Sequence, residues 1–245
     1  MCTVSWVHDD YGYHLLCNRD EKRSRPVASL PQIHCRGSVR FAAPVDGAYG
    51  GTWIAVNEYA VSLCLLNGNS LSIGTTSPTP TAPRSRGLLL AEYMDARSVF
   101  EVCDRLWAAD LSRYAPFTLV TLEANEPAAV MEWDGVDKLI LPHGDAFMPL
   151  ISSSFDPSCV LQYRKNEFQR RRLLEGSVNS SFLFQFHKSH GPVPGPYSPC
   201  MHRSDAETVS FSWIQVTAED IRFLYTPAAP CRWLRGESLV LPRLQ

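Results

Sequence analysis

A cysteine stands directly after the initiator methionine, in Met1-Cys2-Thr3, and that placement decides what its thiol can do. Small second residues permit removal of the initiator methionine, which leaves Cys2 with a thiol and a free α-amine. The amine, with a reference pKa near ~7.7–8.0, can take the thiol proton, so one residue supplies both nucleophile and base. While Met1 remains, the same nitrogen is an amide without a basic lone pair, and Cys2 is a small apolar residue. Further along come Asn18-Arg19-Asp20-Glu21, a charged cluster that becomes chemically relevant if the fold returns it to the amino terminus. If so, Cys2 is expected to be the most reactive of the eight thiols.

The elements that must do this are legible. Thr3–His8 alternates as a strand, Asp9-Asp10-Tyr11-Gly12 is turn chemistry, and Tyr13–Cys17 is apolar and extended again. That hairpin carries Arg19 and Asp20 back beside Cys2. The plainer alternative is that Cys2 is a strand residue and the charges form a solvated turn. Pro26 to Gly37 holds Pro31 and little periodicity, which predicts a loop over the mouth of the site. Gly50–Val56 and Tyr59–Leu66 read as a second hairpin around Asn57-Glu58, whose glycine pair at 50 and 51 admits close backbone approach. Trp53 on its first strand can line a pocket or sit in the core. Asn67, where the second strand runs into Gly68, can aim its amide NH₂ at a developing oxyanion.

Met1-Cys2-Thr3, Asn18-Arg19-Asp20-Glu21 and Arg25-Pro26 resemble the NRDE family, which includes the transport-and-Golgi-organisation proteins. Gly50-Gly51-Thr52-Trp53, Leu65-Leu66-Asn67 and Ser85-Arg86-Gly87 match further family segments in the expected order. The family is similar to N-terminal-nucleophile hydrolases, which implies an α+β fold, a four-layer αββα sandwich, as one domain over 1–245. The resemblance assigns Arg19 and Asp20 to contact with the nucleophile. Physically, Asp20 would orient the α-ammonium group, and the charge of Arg19 would lower the thiol pKa. Asn18 and Glu21 are suited to bonding nearby backbone, with Asn18 also a candidate substrate contact. Two family segments depart. Ser152-Ser153 stands where relatives often show Ser-Asn, so Ser153 offers a hydroxyl in place of an amide. Met201-His202-Arg203 stands where many show Gly-Thr-Arg, with Arg203 keeping the arginine.

The other elements read as strands, then helices, then strands, which argues for α+β layers rather than a doubly wound sheet. Thr75–Pro83 is an internal loop. Helices are predicted over Arg84–Met94 and Ser98–Ala109, from Asp156-Pro157 to about Leu174, and over Val178–His187. The basic residues Arg164, Lys165 and Arg170-Arg171-Arg172 read as a solvated helix face. Thr208–Val216 and Ile221–Tyr225 make a last hairpin.

A net charge of −2 over 245 residues gives no electrostatic case for nucleic acid. No run approaches the ~18 apolar residues of a membrane span, and no basic-then-apolar leader opens the chain, so the expectation is a cytoplasmic protein without disulfides. His34-Cys35, His187-x-x-His190 and Cys200-x-His202 match no zinc spacing, so no metal and no cofactor are expected. The function these readings favour is hydrolysis of a non-peptide C–N bond in a small acylated amide, through an acyl-enzyme on Cys2. The competing reading is a non-catalytic small-molecule carrier or trafficking protein that uses the same pocket.

Overall fold

The structure is a computed structural model that describes residues 2–68, 84–191, 193–232 and 237–244. The expected loop at Thr75–Pro83 lies outside the described residues. In chain order the strands are β1 (Cys2–Asp9), β2 (Gly12–Lys22), β3 (Gln32–Arg36), β4 (Val39–Ala43), β5 (Ile54–Asn57) and β6 (Ser62–Asn67). Two helices follow, α1 (Arg86–Glu92) and α2 (Val99–Ala108), then β7 (Phe117–Leu122), β8 (Ala129–Trp133), β9 (Lys138–Leu141) and β10 (Leu150–Ser152). Next come α3 (Pro157–Glu175), α4 (Ser180–Lys188), β11 (Ala206–Val216), β12 (Asp220–Thr226) and β13 (Glu237–Pro242).

The strands form two antiparallel sheets, ordered β10-β1-β2-β11-β12-β13 and β3-β4-β5-β6-β7-β8-β9. Strand alternation sorts the side chains into layers. Val4 and Trp6 of β1, with Tyr13, Leu15 and Cys17 of β2, pack against Ile54, Val56, Cys64 and Val120 of the other sheet. Leu16 and Phe211 point the other way and pack under Phe168 of α3 and Phe182, Leu183 and Phe186 of α4. Leu63, Leu65 and Leu119 meet Leu89 and Leu90 of α1 and Val102 and Leu106 of α2 on the far side. The layers are therefore helix, sheet, sheet, helix, as expected for the αββα sandwich.

Local chemistry explains the boundaries. Asp9 Oδ1 accepts from the backbone N–H of Tyr11 and Gly12, both at 2.9 Å, and closes the first hairpin. Ser98 caps α2 by accepting from Glu101 N, while Glu101 Oε2 accepts from Arg97 N, much as in a capping box. Two sequence readings are corrected. Gln32–Arg36, taken within a loop, is an edge strand: its burial shows no apolar alternation, so periodicity could not reveal it. Arg164 is not on a solvated face; it is 1% exposed and donates to Asp20 Oδ2 at 3.0 Å. Arg170 and Arg171 do stay near the surface, paired with Glu167.

Candidate active site

Cys2 opens β1 and lies opposite Arg19 of β2 on one side and Ser152 of β10 on the other. Residues directly opposite in an antiparallel ladder share a face, so the first hairpin puts the Arg19 side chain beside the thiol. The Cys2 backbone nitrogen donates to Ser152 Oγ at 3.1 Å. The Cys2 thiol donates to the sulfur of Cys17, next along that face of β2; that bond and burial push the Cys2 thiol well above its ordinary pKa. Cys2 is buried, while Cys35 and Cys159 are exposed; the reactivity expected of Cys2 belongs to the chain freed of Met1.

A cavity of about 410 Å³ opens over Cys2, walled by Arg19, Thr52, Trp53, Asn67, Arg86 and Gly87 among others. Arg19 Nη2 meets Asp46 Oδ2 at 2.6 Å, and its guanidinium lies 4.4 Å over the Trp53 ring. Such stacking fixes the plane of the cation and is stronger when desolvated. Asp46 also takes Arg25 through both carboxylate oxygens, each at 3.0 Å, and accepts from the backbone of Ala48 and Tyr49. Burial disfavours its charge, but the bond from Arg25 and the charges of Arg25 and Arg19 outweigh it and hold the carboxyl below its usual range. The fourth wall depends on two glycines. A Cβ on Gly51 would lie 2.5 Å from the Gly87 carbonyl carbon, so only glycine lets α1 approach the segment before β5 closely enough for Thr52 N to donate to Gly87 O. Arg19, Arg25, Arg84 and Arg86 face two carboxylates, Glu21 and Asp46, around the cavity, which leaves its walls with an excess of positive charge. The indole N–H of Trp53 is buried with no hydrogen-bond partner among the described residues.

Of the residues expected at the site, Cys2, Arg19, Trp53 and Asn67 line this one cavity. Asp20 and Arg203 line an adjoining cavity of about 380 Å³, and Glu21, Arg25 and Asn67 border both. Asp20 is fully buried; it accepts from Arg164 of α3 and, at 2.6 Å, from Thr208 Oγ1 of β11. Arg203 pairs with Asp205 at 2.8 Å and stacks 4.3 Å over Phe155, so its place is the second cavity and not the wall over Cys2.

Two expectations are corrected outright. Asn18 is buried on the helix side, where its Nδ2 donates to the carbonyls of His187 and Pro199; it ties β2 to the helix layer. Ser153 donates to Phe155 O and accepts from Phe155 N, closing a turn; the serine that meets Cys2 is Ser152, one position earlier. Sequence reasoning missed Asp46, Arg25 and Arg86. Asp46 lies in Pro44-Val45-Asp46-Gly47, where an aspartate before glycine reads as turn chemistry.

The family model for Transport and Golgi organisation 2 matches residues 1–175. No curated protein matches the sequence. Among solved structures, a variant of conjugated bile acid hydrolase from Clostridium perfringens is similar with a TM-score of 0.60 at 10% identity, covering 99% of this chain and 92% of that one. The Caenorhabditis elegans ortholog of N-acylethanolamine-hydrolyzing acid amidase is similar with a TM-score of 0.60 at 12% identity, covering 98% of this chain and 100% of that one. At these identities the likeness is one of fold, and the fold is that of the N-terminal-nucleophile hydrolases. Among the described residues no helix is long and apolar enough to cross a membrane.

Proposed function

From the premise that the chain belongs to the Transport and Golgi organisation 2 family, we propose that it is an N-terminal cysteine amidohydrolase acting on the C–N bond of a small acylated amide. The observation that carries this reading is the pairing of Cys2 with Arg19 on the floor of a cavity large enough for a small molecule. Removal of Met1 frees the α-amine. The thiol passes its proton to that amine as sulfur attacks the carbonyl carbon. The carbonyl oxygen takes up negative charge, which the Asn67 amide stabilises. The C–N bond breaks as the leaving amine takes the proton from the α-ammonium group, and a thioester remains. Water then attacks the thioester, its proton passes through the same amine, and acid and free thiol are released. Asp20, braced by Arg164 and Thr208, acts as a positioning residue for the nitrogen. The excess of arginine favours a substrate with an anionic or carbonyl-rich end.

The name of the N-acylethanolamine-hydrolyzing acid amidase ortholog supports amide cleavage as chemistry this fold can host. A second reading, reversible carriage of a ligand in the same cavity, is favoured by the protonated Cys2 held by Cys17. The experiment uses full-length protein from its native host, an acyl p-nitroanilide and an acid quench. Hydrolysis requires an intact mass without Met1, acyl mass on the Cys2 peptide, and no turnover in Cys2→Ala. Turnover that survives in Cys2→Ala, or active protein that retains Met1, refutes the mechanism. Stoichiometric binding without release of nitroaniline selects the carrier.

A further inference from the structure

Three stretches that the hydrolytic reading does not use meet at one point. His190 lies two residues beyond α4, Cys200 and His202 lie in the run toward β11, and Cys231 sits in the short 3-10 turn Pro230–Arg232 after β12. The Nε2 atoms of His190 and His202 are 3.2 Å apart, and the sulfurs of Cys200 and Cys231 each lie 3.5 Å from His202 Nε2. All four potential ligand atoms fall within 4.8 Å of one another. Three neighbours thus converge on one ring nitrogen, which in a neutral imidazole carries either one hydrogen or one lone pair. It can satisfy one of them, not three.

A tetrahedral cation at the centre resolves this, because each atom then points its lone pair at the ion. With Zn–S near 2.3 Å and Zn–N near 2.0–2.1 Å, tetrahedral angles require edges of about 3.3 Å between nitrogens, about 3.5 Å between nitrogen and sulfur and about 3.8 Å between sulfurs. The observed nitrogen–nitrogen and nitrogen–sulfur separations match those edges. Two thiolates would also neutralise a divalent charge, which suits a cluster whose Cys200 is buried and whose other members are half-buried.

We propose that His190, Cys200, His202 and Cys231 bind one zinc ion in a closed, structural site of two cysteines and two histidines. The chain spacing of these residues resembles no zinc motif, which is why the sequence pointed away from a metal; the fold gathers them. The ion would pin the run from 191 to 199, which holds Pro194, Pro196 and Pro199 and, among its described residues, no helix or strand. The brace extends to the cavity residues. Met201, between two of the ligands, donates to Thr208 Oγ1 and accepts from Thr208 N, and Thr208 Oγ1 in turn donates to Asp20.

The test uses full-length protein purified with a thiol reductant. Elemental analysis should find about one equivalent of zinc for a closed four-ligand site. Replacement by cobalt(II) should give visible bands with a thiolate-to-cobalt charge-transfer feature. Cys200→Ser and Cys231→Ser should lose both the metal and that feature, while Cys35→Ser, at an exposed thiol on β3, keeps them. If the ligand variants fail to fold, cobalt titration of the unaltered chain still decides. Folded, reduced protein that takes up neither zinc nor cobalt overturns the proposal, as does cobalt binding without a thiolate band. A Cys200–Cys231 disulfide in reduced preparations would overturn it too.

Discussion

His187 gives the sharpest quantitative test of how the helix layer is held on the first sheet. It is fully buried on α4, with Nε2 2.8 Å from Ser5 Oγ of β1. Its other ring nitrogen has no hydrogen-bond partner among the described residues, so a second proton would find no acceptor there. Burial, reinforced by the charge of Arg164, pushes its pKa down to about 3. In the unfolded chain a histidine titrates near ~6.5. Between those two values the unfolded state binds a proton that the native state refuses, so stability falls as pH falls. This contribution is fully present above the unfolded pKa and fully lost near the folded one. Each pH unit between the two is worth about 1.36 kcal/mol, so the full interval amounts to about 5 kcal/mol. That is comparable with the whole stability of a small domain, ~5–15 kcal/mol. His187→Gln keeps a hydrogen-bonding group for Ser5 but cannot titrate. Urea unfolding from about pH 7.5 to 4.5 should show the variant less stable at the upper end. Its deficit should then shrink by about 1.4 kcal/mol per pH unit once pH falls below the unfolded histidine value. Parallel stability curves for the two proteins would refute the neutral, buried imidazole.

Asn67→Ala should lower turnover by ~10²–10³ with little change in KM, the effect of a lost oxyanion donor; an equal loss in binding would remove Asn67 from that role. Gly51→Ala should destabilise by about 1–3 kcal/mol, because its Cβ would meet the Gly87 backbone, and an unchanged Tm would deny the close approach of α1. Arg164→Met should cost about 3–5 kcal/mol by stranding the buried Asp20 carboxylate. Adding Asp20→Asn should recover part of that loss in a double-mutant cycle, and strictly additive losses would show the pair uncoupled.

The parts of the fold that read well in sequence are those where side-chain period and burial coincide. The alternation of Thr3–His8 and the turn residues after it set the register that puts Arg19 opposite Cys2. The helix over Ser98–Ala109 carried its cap with it. Strand β3 did not read, because an edge strand packed on neither face needs no apolar alternation; β13, largely exposed, escaped for the same reason. Arg164 was misread because helical period cannot tell a solvated arginine from one paired across to another element. Ser152 and Ser153 differ by one position, but β10 ends at Ser152 and the next residue already closes the turn with Phe155. The sequence showed His190 and Cys200-x-His202 only as groupings without a zinc spacing; Cys231, in the 3-10 turn after β12, joins them only through the fold.

The strand order of the first sheet has a consequence for the newborn chain. The second sheet is a meander whose strands all lie between Gln32 and Leu141 and pair with sequence neighbours, so it can assemble as it leaves the ribosome. The first hairpin cannot: β2 finds its partner β11 only when Ala206 and beyond have emerged, and an isolated two-stranded hairpin is marginal in water. At ~5–20 residues per second, the roughly 180 residues in between take on the order of ten to forty seconds to make. Through that interval the hairpin lacks its β11 partner, so the amino terminus can still open to an aminopeptidase even after β10 has emerged beside Cys2. The sheet that encloses the terminus needed by the proposed chemistry is thus completed late in synthesis.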